Sequence, residues 1–252
     1  MPQIIAVTNQ KGGVGKTTTC SALVSGLHMN GSKVLGIDLD PQGNLGFSMG
    51  IDIENSLTIY DLLKGDAEPA EVIRNTGYGD ILPSNILLSS AELEFNRSAR
   101  EFMLRSAIEP ILNDYDFIVI DTPPALNILT VNAYVTADSL IIPMIPEVLS
   151  LLGISQLKDT IEVVQKFFNP RLRILGILLT KYNKQLNLVK EVEELTAAIA
   201  EQLGTSILQV KIRNNVAVAE APAHGQSVLT YAPKSNAAAD FSALIKEITA
   251  MF

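Results

Sequence analysis

The chain has one cysteine, few charges and no long apolar run, and each shortage narrows what it can be. A single cysteine among 252 residues forms no internal disulfide and no thiolate metal cluster. Cys20 therefore reads as a buried packing residue. No apolar run approaches the ~18 residues of a membrane span, and the first residues read as a strand rather than a signal peptide. A cytoplasmic protein is expected. Charged residues make up 18% of the chain against 47% hydrophobic, which argues for a substantial core and against disorder. The net charge of −8 argues mildly against nucleic-acid binding.

The charge is unevenly placed. Residues 1–126 carry 8 basic and 16 acidic side chains, whereas residues 127–252 carry 11 of each. Lys166, Arg171, Arg173, Lys181, Lys184 and Lys190 fall in positions 163–190, which hold no Asp or Glu. Such a stretch is either an anion-binding face or a set of ordinary solvated loop ends, and sequence leaves both open.

What the chain does have is Asn9-Gln10-Lys11-Gly12-Gly13-Val14-Gly15-Lys16-Thr17-Thr18. It follows the apolar run Ile4 to Val7, a buried strand, and enters a helical segment from Thr18 to Asn30 closed by Gly31. A glycine-rich turn between strand and helix curls so that several N–H groups point inward, and the helix N-terminus adds roughly half a positive charge. Lys16 supplies a full charge for the outer phosphates and Thr17 a hydroxyl for Mg²⁺. A dinucleotide fingerprint would use Gly13 and Gly15, with Asp38 on the ribose. It would place glycine where Thr18 stands, and it has no task for a Lys-Thr pair. The triphosphate reading is preferred. The usual pattern also wants glycine at position 10, where this chain has Gln10, and Lys11 is extra. Spacing alone leaves Lys11 as a rim charge or a second phosphate contact.

Further apolar runs at Val34 to Ile37, Phe117 to Ile120, Leu140 to Ile142 and Leu172 to Leu179 read as strands buried on both faces. Helical spacing links Ile154, Leu157, Ile161, Val164 and Phe168, and again Leu188, Val192, Leu195, Ile199 and Leu203. The alternation predicts an α/β fold: a doubly wound, mostly parallel sheet flanked by helices, in one P-loop domain over residues 1–252. Residues 50–113 read as a mostly helical insertion with a short strand near Asp80 to Leu82. Phe241, Leu244, Ile245, Ile248 and Phe252 line one face of a terminal helix. Its polar face offers Lys246 against Asp240 and Glu247, so docking on the domain is expected rather than membrane binding.

Two more strand ends carry acids. Ile37-Asp38-Leu39-Asp40-Pro41-Gln42-Gly43-Asn44 places two carboxylates at the end of a strand expected beside the P-loop strand, at the edge where open α/β sheets bind ligands. Phe117-Ile118-Val119-Ile120-Asp121-Thr122-Pro123-Pro124 delivers a carboxylate to a metal's coordination shell, usually through water. Its two prolines stiffen a segment suited to sensing the γ-phosphate.

With these motifs and Glu220-Ala221-Pro222-Ala223-His224-Gly225, nearly the whole chain resembles the ParA/Soj family of partitioning ATPases, in the deviant-Walker group that includes MinD. The resemblance implies that Lys11 reaches phosphates bound by a partner subunit, and that Gly12 is small because the partner approaches there. It implies ATP and Mg²⁺ as ligands, a homodimer in the ATP state, and binding of that dimer to non-specific DNA. Hydrolysis would be slow and stimulated by a ParB-like centromere-binding protein. The protein would be nucleoid-associated when ATP-bound, with no stable membrane association, and of the short type without an N-terminal helix-turn-helix domain.

In that frame Lys11 and Lys16 neutralise charge, Thr17 and Asp121 hold Mg²⁺, Asp38 supports it through water, and Asp40 orients the attacking water. Residues Gly12 to Thr18 cradle the phosphates, while Asn183 and residues 212–214, Arg213 among them, hold adenine. Many relatives carry arginines where this chain has Asn214 and Ala217, which leaves Lys181, Lys184, Lys190, Lys211 and Arg213 as DNA-binding candidates. His224 is expected to be a hydrogen-bonded structural residue. The alternatives are a MinD-like membrane-positioning ATPase and a metabolic P-loop ligase or kinase.

Overall fold

The computed structural model of the protein describes residues 1–95, 98–147, 154–183 and 189–252. Among them, seven strands form one sheet: β1 (Gln3–Val7), β2 (Val34–Asp38), β3 (Arg74–Asn75), β4 (Asp80–Leu82), β5 (Phe117–Asp121), β6 (Ser139–Met144) and β7 (Arg173–Leu179). The order across the sheet is β3-β4-β2-β5-β1-β6-β7, parallel throughout except for the β3–β4 pair. The helices in chain order are α1 (Lys16–Met29), α2 (Asn44–Ser48), α3 (Ile59–Lys64), α4 (Pro69–Val72), α5 (Ala91–Glu94), α6 (Met103–Ile108), α7 (Ile128–Thr136), α8 (Ile154–Phe167), α9 (Val189–Gln202), α10 (Val216–Glu220), α11 (Val228–Tyr231) and α12 (Asn236–Thr249).

The central strands are Ile-, Val- and Leu-rich without alternation because both faces are covered. Side chains of odd and even parity then fall into two cores. Ile4, Leu35, Ile37, Ile118, Ile120 and Leu140 join the core that contains Leu104, Leu129 and Leu157. Ile5, Val7, Val34, Val119 and Ile141 join Leu23 and Leu27 of α1 and Phe241 and Leu244 of α12. The terminal helix is docked, as its pattern predicts. Phe241, Leu244, Ile245 and Ile248 are buried, and burial of such side chains stabilises by roughly 1.5–3 kcal/mol each. The approach of α11 and α12 to α1 depends on Gly26, where an added Cβ would collide with Ile245 and Leu229. Phe252 remains partly exposed at the rim, edge-on to Phe117. No helix among the described residues is long and apolar enough to cross a membrane.

One expectation changes. The strand bearing Asp38 does not neighbour the P-loop strand: β5 lies between β1 and β2, paired with both. Register puts Val7, Asp121 and Asp38 at one level across these three strands, so β5 delivers the carboxylate beside the P-loop. The short strand in residues 50–113 is also present as expected. It pairs with β2, so the 50–113 segment contributes a strand to the main sheet.

Candidate nucleotide-binding site

The P-loop leaves the carboxyl end of β1 and is tied down before it curls. Thr8 donates its N–H to Ile141 O at 3.0 Å, and Asn9 reaches Pro143 O through Nδ2 at 2.7 Å. Asn9 Oδ1 takes the Lys11 N–H at 2.9 Å, and Thr180 Oγ1 donates to Val14 O at 2.8 Å. Between these anchors Gly13 and Gly15 adopt φ of +72° and +90°, a left-handed backbone that glycine adopts without strain. The first turn of α1 carries no side-chain cap and no acid, so its N–H groups and partial positive charge face the turn.

Lys16 projects into this turn and is nearly buried, with Nζ 3.3 Å from Lys11 O. Burial lowers its pKa, while the nearby Asp121 and Asp40 carboxylates pull it back up. Thr17 Oγ1 donates to Asp121 Oδ2 at 2.6 Å. Asp121 is fully buried and its other oxygen, Oδ1, has no conventional hydrogen-bond partner, although the weakly donating Cys20 thiol also faces the carboxylate. Burial pushes Asp121 up to about 7, against the opposing effects of Thr17 and Lys16. Cys20 is buried as expected, and burial raises its thiol well above the usual range.

An orphaned carboxylate oxygen beside a hydroxyl fits a hard divalent cation. Thr17 and Asp121 are the residues that would hold Mg²⁺ here, Asp121 through water. The described residues contain no cluster of three or more His, Cys, Asp or Glu, so no all-protein metal cage competes with this assignment.

Around the turn lies a cavity of about 590 Å³, a size ordinary for cofactor and substrate pockets. Gly12 to Thr18 and Asp40 line it, as do Ile212, Arg213 and Asn214, while Lys11 is not part of the lining. Asn183 is exposed and is not part of the lining. Sequence reasoning missed Asn44, Phe47 and Ser48 on one wall and Asn215, Val218 and Pro222 on another. In the second group Pro222 lies within the Glu220 to Gly225 motif and Asn215 and Val218 shortly before it, which was the available signal. Of α2, Asn44 closes the Ile37 to Asn44 motif, but Phe47 and Ser48 carried no signal, since a five-residue helix has no periodicity. His224 lies outside the lining; it is exposed and stacks its ring on Tyr231 at 4.8 Å.

Lys11 is turned outward, its ammonium 2.9 Å from Glu147 at the rim. Gly12 is exposed, has no left-handed φ, and an added Cβ there would meet nothing within 4 Å. Nothing among the described residues requires glycine at that position.

Asp38 differs from its expected place. It is fully buried, and both oxygens accept backbone N–H groups, from Asp40, Leu45 and Gly46. It lies outside the cavity lining and has its acceptors committed.

The basic stretch is also divided. Lys166, Arg171 and Arg173 flank the start of β7 and Lys181 follows its end, so the strand's roughly 20 Å separates them. They do not form one face. Of the DNA-binding candidates, Lys181 is exposed at the carboxyl edge, in a left-handed conformation with φ of +48°. Lys211 pairs with Glu193 and lies over the Tyr182 ring. Arg213 lines the cavity but commits its guanidinium to Asp240, at 2.6 Å from NH2 to Oδ1. Lys184 lies outside the described residues, as does the side chain of Lys190.

Strand order, anchored glycine turn and the Thr17–Asp121 pair define a P-loop nucleotide-binding protein of the deviant-Walker type, with Lys11 as its distinguishing residue. Residues 2–174 match the family profile described as an AAA domain. The chain is 40% identical to the sporulation initiation inhibitor protein Soj of Bacillus subtilis, covering 99% of each chain. It is 39% identical to the chromosome partitioning protein ParA of Myxococcus xanthus, over 98% of this chain and 87% of that one. Among solved structures it is similar to the cobyrinic acid a,c-diamide synthase of Mycobacterium smegmatis with a bound ATP analogue and magnesium. The TM-score is 0.86 and the identity 34%, covering 98% of this chain and 93% of that one. The chain belongs to the ParA/Soj family of P-loop ATPases within the AAA-domain group.

Proposed function

We propose that the protein is an ATP-dependent DNA-partitioning ATPase, one domain over residues 1–252, that works as an ATP-sandwich dimer. The observation that carries this reading is the outer side of the P-loop. Lys16 already answers the phosphates from within, yet a second lysine stands at the rim beside a glycine that the described residues leave open. A second copy approaching at Gly12 would place its Lys11 on this subunit's phosphates. The pair with Glu147 is half-exposed and contributes at most about 1 kcal/mol, so losing that pair costs little.

Within the site each residue has a separable task. The Gly12 to Gly15 backbone and the α1 N-terminus bind phosphate oxygens, and Lys16 neutralises them. Thr17 and Asp121 hold the metal, which when bound neutralises charge developing between the phosphates. Asp40 lines the cavity with its Oδ1 fixed by the Gln42 N–H at 3.0 Å, a placement that suits orienting a water. Base contacts come from Asn214 and the 212–218 wall rather than from Asn183. Hydrolysis is slow until a ParB-like partner engages the dimer, and the released monomers rebind nucleotide. Lys181 and the 184–190 segment remain the proposed DNA contacts, since Lys211 and Arg213 are paired within the chain. The protein is cytoplasmic, nucleoid-associated when ATP-bound, and makes no stable membrane association.

Beads coated with DNA or with anionic lipid test the reading. The protein should bind DNA beads only with Mg²⁺ and ATP, with a log–log salt slope of about 0.9 per phosphate neutralised. Binding to lipid beads alone would favour the membrane-positioning alternative. A second reading, amide ligation on a small molecule, is favoured by the 34% identity to the Mycobacterium smegmatis synthase. It predicts ATP turnover that requires a small carboxylic acid and an amine donor, and that is indifferent to DNA.

A further inference from the structure

The turn after β2 is closed by one buried carboxylate. Leu39 adds a last ladder bond, donating its N–H to Asp121 O at 2.9 Å, and the chain then reverses. Asp38 Oδ1 accepts the Asp40 N–H at 3.0 Å on the near side of the reversal. Its Oδ2 accepts the Leu45 N–H at 2.9 Å and the Gly46 N–H at 3.3 Å on the far side, within the first turn of α2. The residue preceding α2 is Gly43, which has φ of +66° and no side chain to cap the helix. Asp38 does that capping from upstream, and by gripping both ends it fixes everything between them. Asp40 sits in that span, its carbonyl accepting the Gly43 N–H at 2.9 Å and its carboxylate the Gln42 N–H at 3.0 Å. The turn packs closely on its neighbours at Gly43, where an added Cβ would meet Ile53 Cδ1 and the Ser84 carbonyl.

We propose that Asp38 is a positioning residue: it shapes the turn that presents Asp40 to the cavity and does not serve the metal. Three of the roughly four acceptor sites of Asp38 already take backbone N–H groups, and the residue is fully buried outside the cavity lining, so turning toward the cation would weaken the bonds that hold the turn. The neighbouring strand end already offers the metal an oxygen, Asp121 Oδ1, with no conventional hydrogen-bond partner. The proposal rests on Asp40 acting on the attacking water, as argued above.

Three measurements test it. In the unsubstituted protein, where folding is not in question, the Asp40, Leu45 and Gly46 amides should be equally protected from hydrogen exchange before and after addition of Mg²⁺ with a non-hydrolysable ATP analogue. Deprotection on addition would mean that the carboxylate leaves for the metal, and would overturn the proposal. In Asp38→Asn one oxygen becomes an amide nitrogen that cannot accept. Exchange of residues 39–48 should speed up while the 12–18 amides are unchanged, kcat should fall roughly 10- to 100-fold, and ATP affinity and the Mg²⁺ concentration for half-maximal activity should hold. An unchanged kcat, or a tenfold rise in that Mg²⁺ concentration, would contradict it. Asp40→Ala separates the two layers: hydrolysis retained in that variant removes the reading of Asp40 itself, whatever Asp38 does.

Discussion

Asp38 ends β2 and Asp121 ends β5, paired in register and both without solvent exposure, yet one has spent its acceptors on backbone amides and the other keeps an oxygen open. Burial raises the pKa of both; Asp38 is raised further by the Asp121 carboxylate and Asp121 by that of Asp40. What separates them is the remaining partner set. Lys16 and Thr17 face Asp121, whereas Asp38 is surrounded by its own turn. The lesson is that a buried acid at the ligand edge of a sheet is read by what its oxygens still lack.

The largest effect should come from removing the cation that answers the β5 end. Lys16→Ala should weaken nucleotide binding by about 4 kcal/mol, the range for truncating one partner of a desolvated charge pair. Fluorescent ATP titration measures this, and near-normal affinity would break the cradle assignment. Next is the β2 end. Asp38→Ala strands three amide donors and should destabilise the fold by about 3 kcal/mol in urea titrations, at roughly 1 kcal/mol or more for each unsatisfied group. Equal loss in Asp121→Ala would erase the contrast between the two ends.

The pH response sharpens it. Asp121 titrates near 7 in the fold and near 4 when unfolded, so the folded form holds the extra proton between those values. Its contribution is therefore lost as pH rises from about 4 to 7 and stays lost above that. Asp121→Asn should abolish that decline, a gain at pH 7.5 without Mg²⁺ of at most the ~4 kcal/mol that a three-unit shift represents, read from melts of both proteins across pH. An identical pH profile would contradict the assignment. The smallest effect belongs to the rim: Glu147→Gln breaks a half-exposed pair and should change stability by less than about 1 kcal/mol.

The parts of the site that were legible in sequence are those whose chemistry is local. Gly12 to Thr18 form a contiguous cradle, and Ile120 to Asp121 is a strand with an acid at its end, so both could be read without knowing the topology. Strand order could not be. Nothing in Val34 to Asp38 states that β5 will lie between it and β1, because parallel pairing is decided by helices packing on both faces. The role of Asp38 was hidden for a related reason: its partners, Leu45 and Gly46, are set by the path of a turn and not by spacing. The apparent basic face failed because seven residues of strand lie within it, from Arg173 to Leu179. Pairings such as Arg213 with Asp240 join residues whose closeness only folding reveals.

Sedimentation velocity with Mg²⁺ and a non-hydrolysable ATP analogue tests the sandwich most directly. The unsubstituted chain should shift from one protomer to two when the analogue is added, and Lys11→Ala should bind the analogue yet stay a single protomer. A single protomer for the unsubstituted chain at every concentration, with the analogue demonstrably bound, would contradict the account.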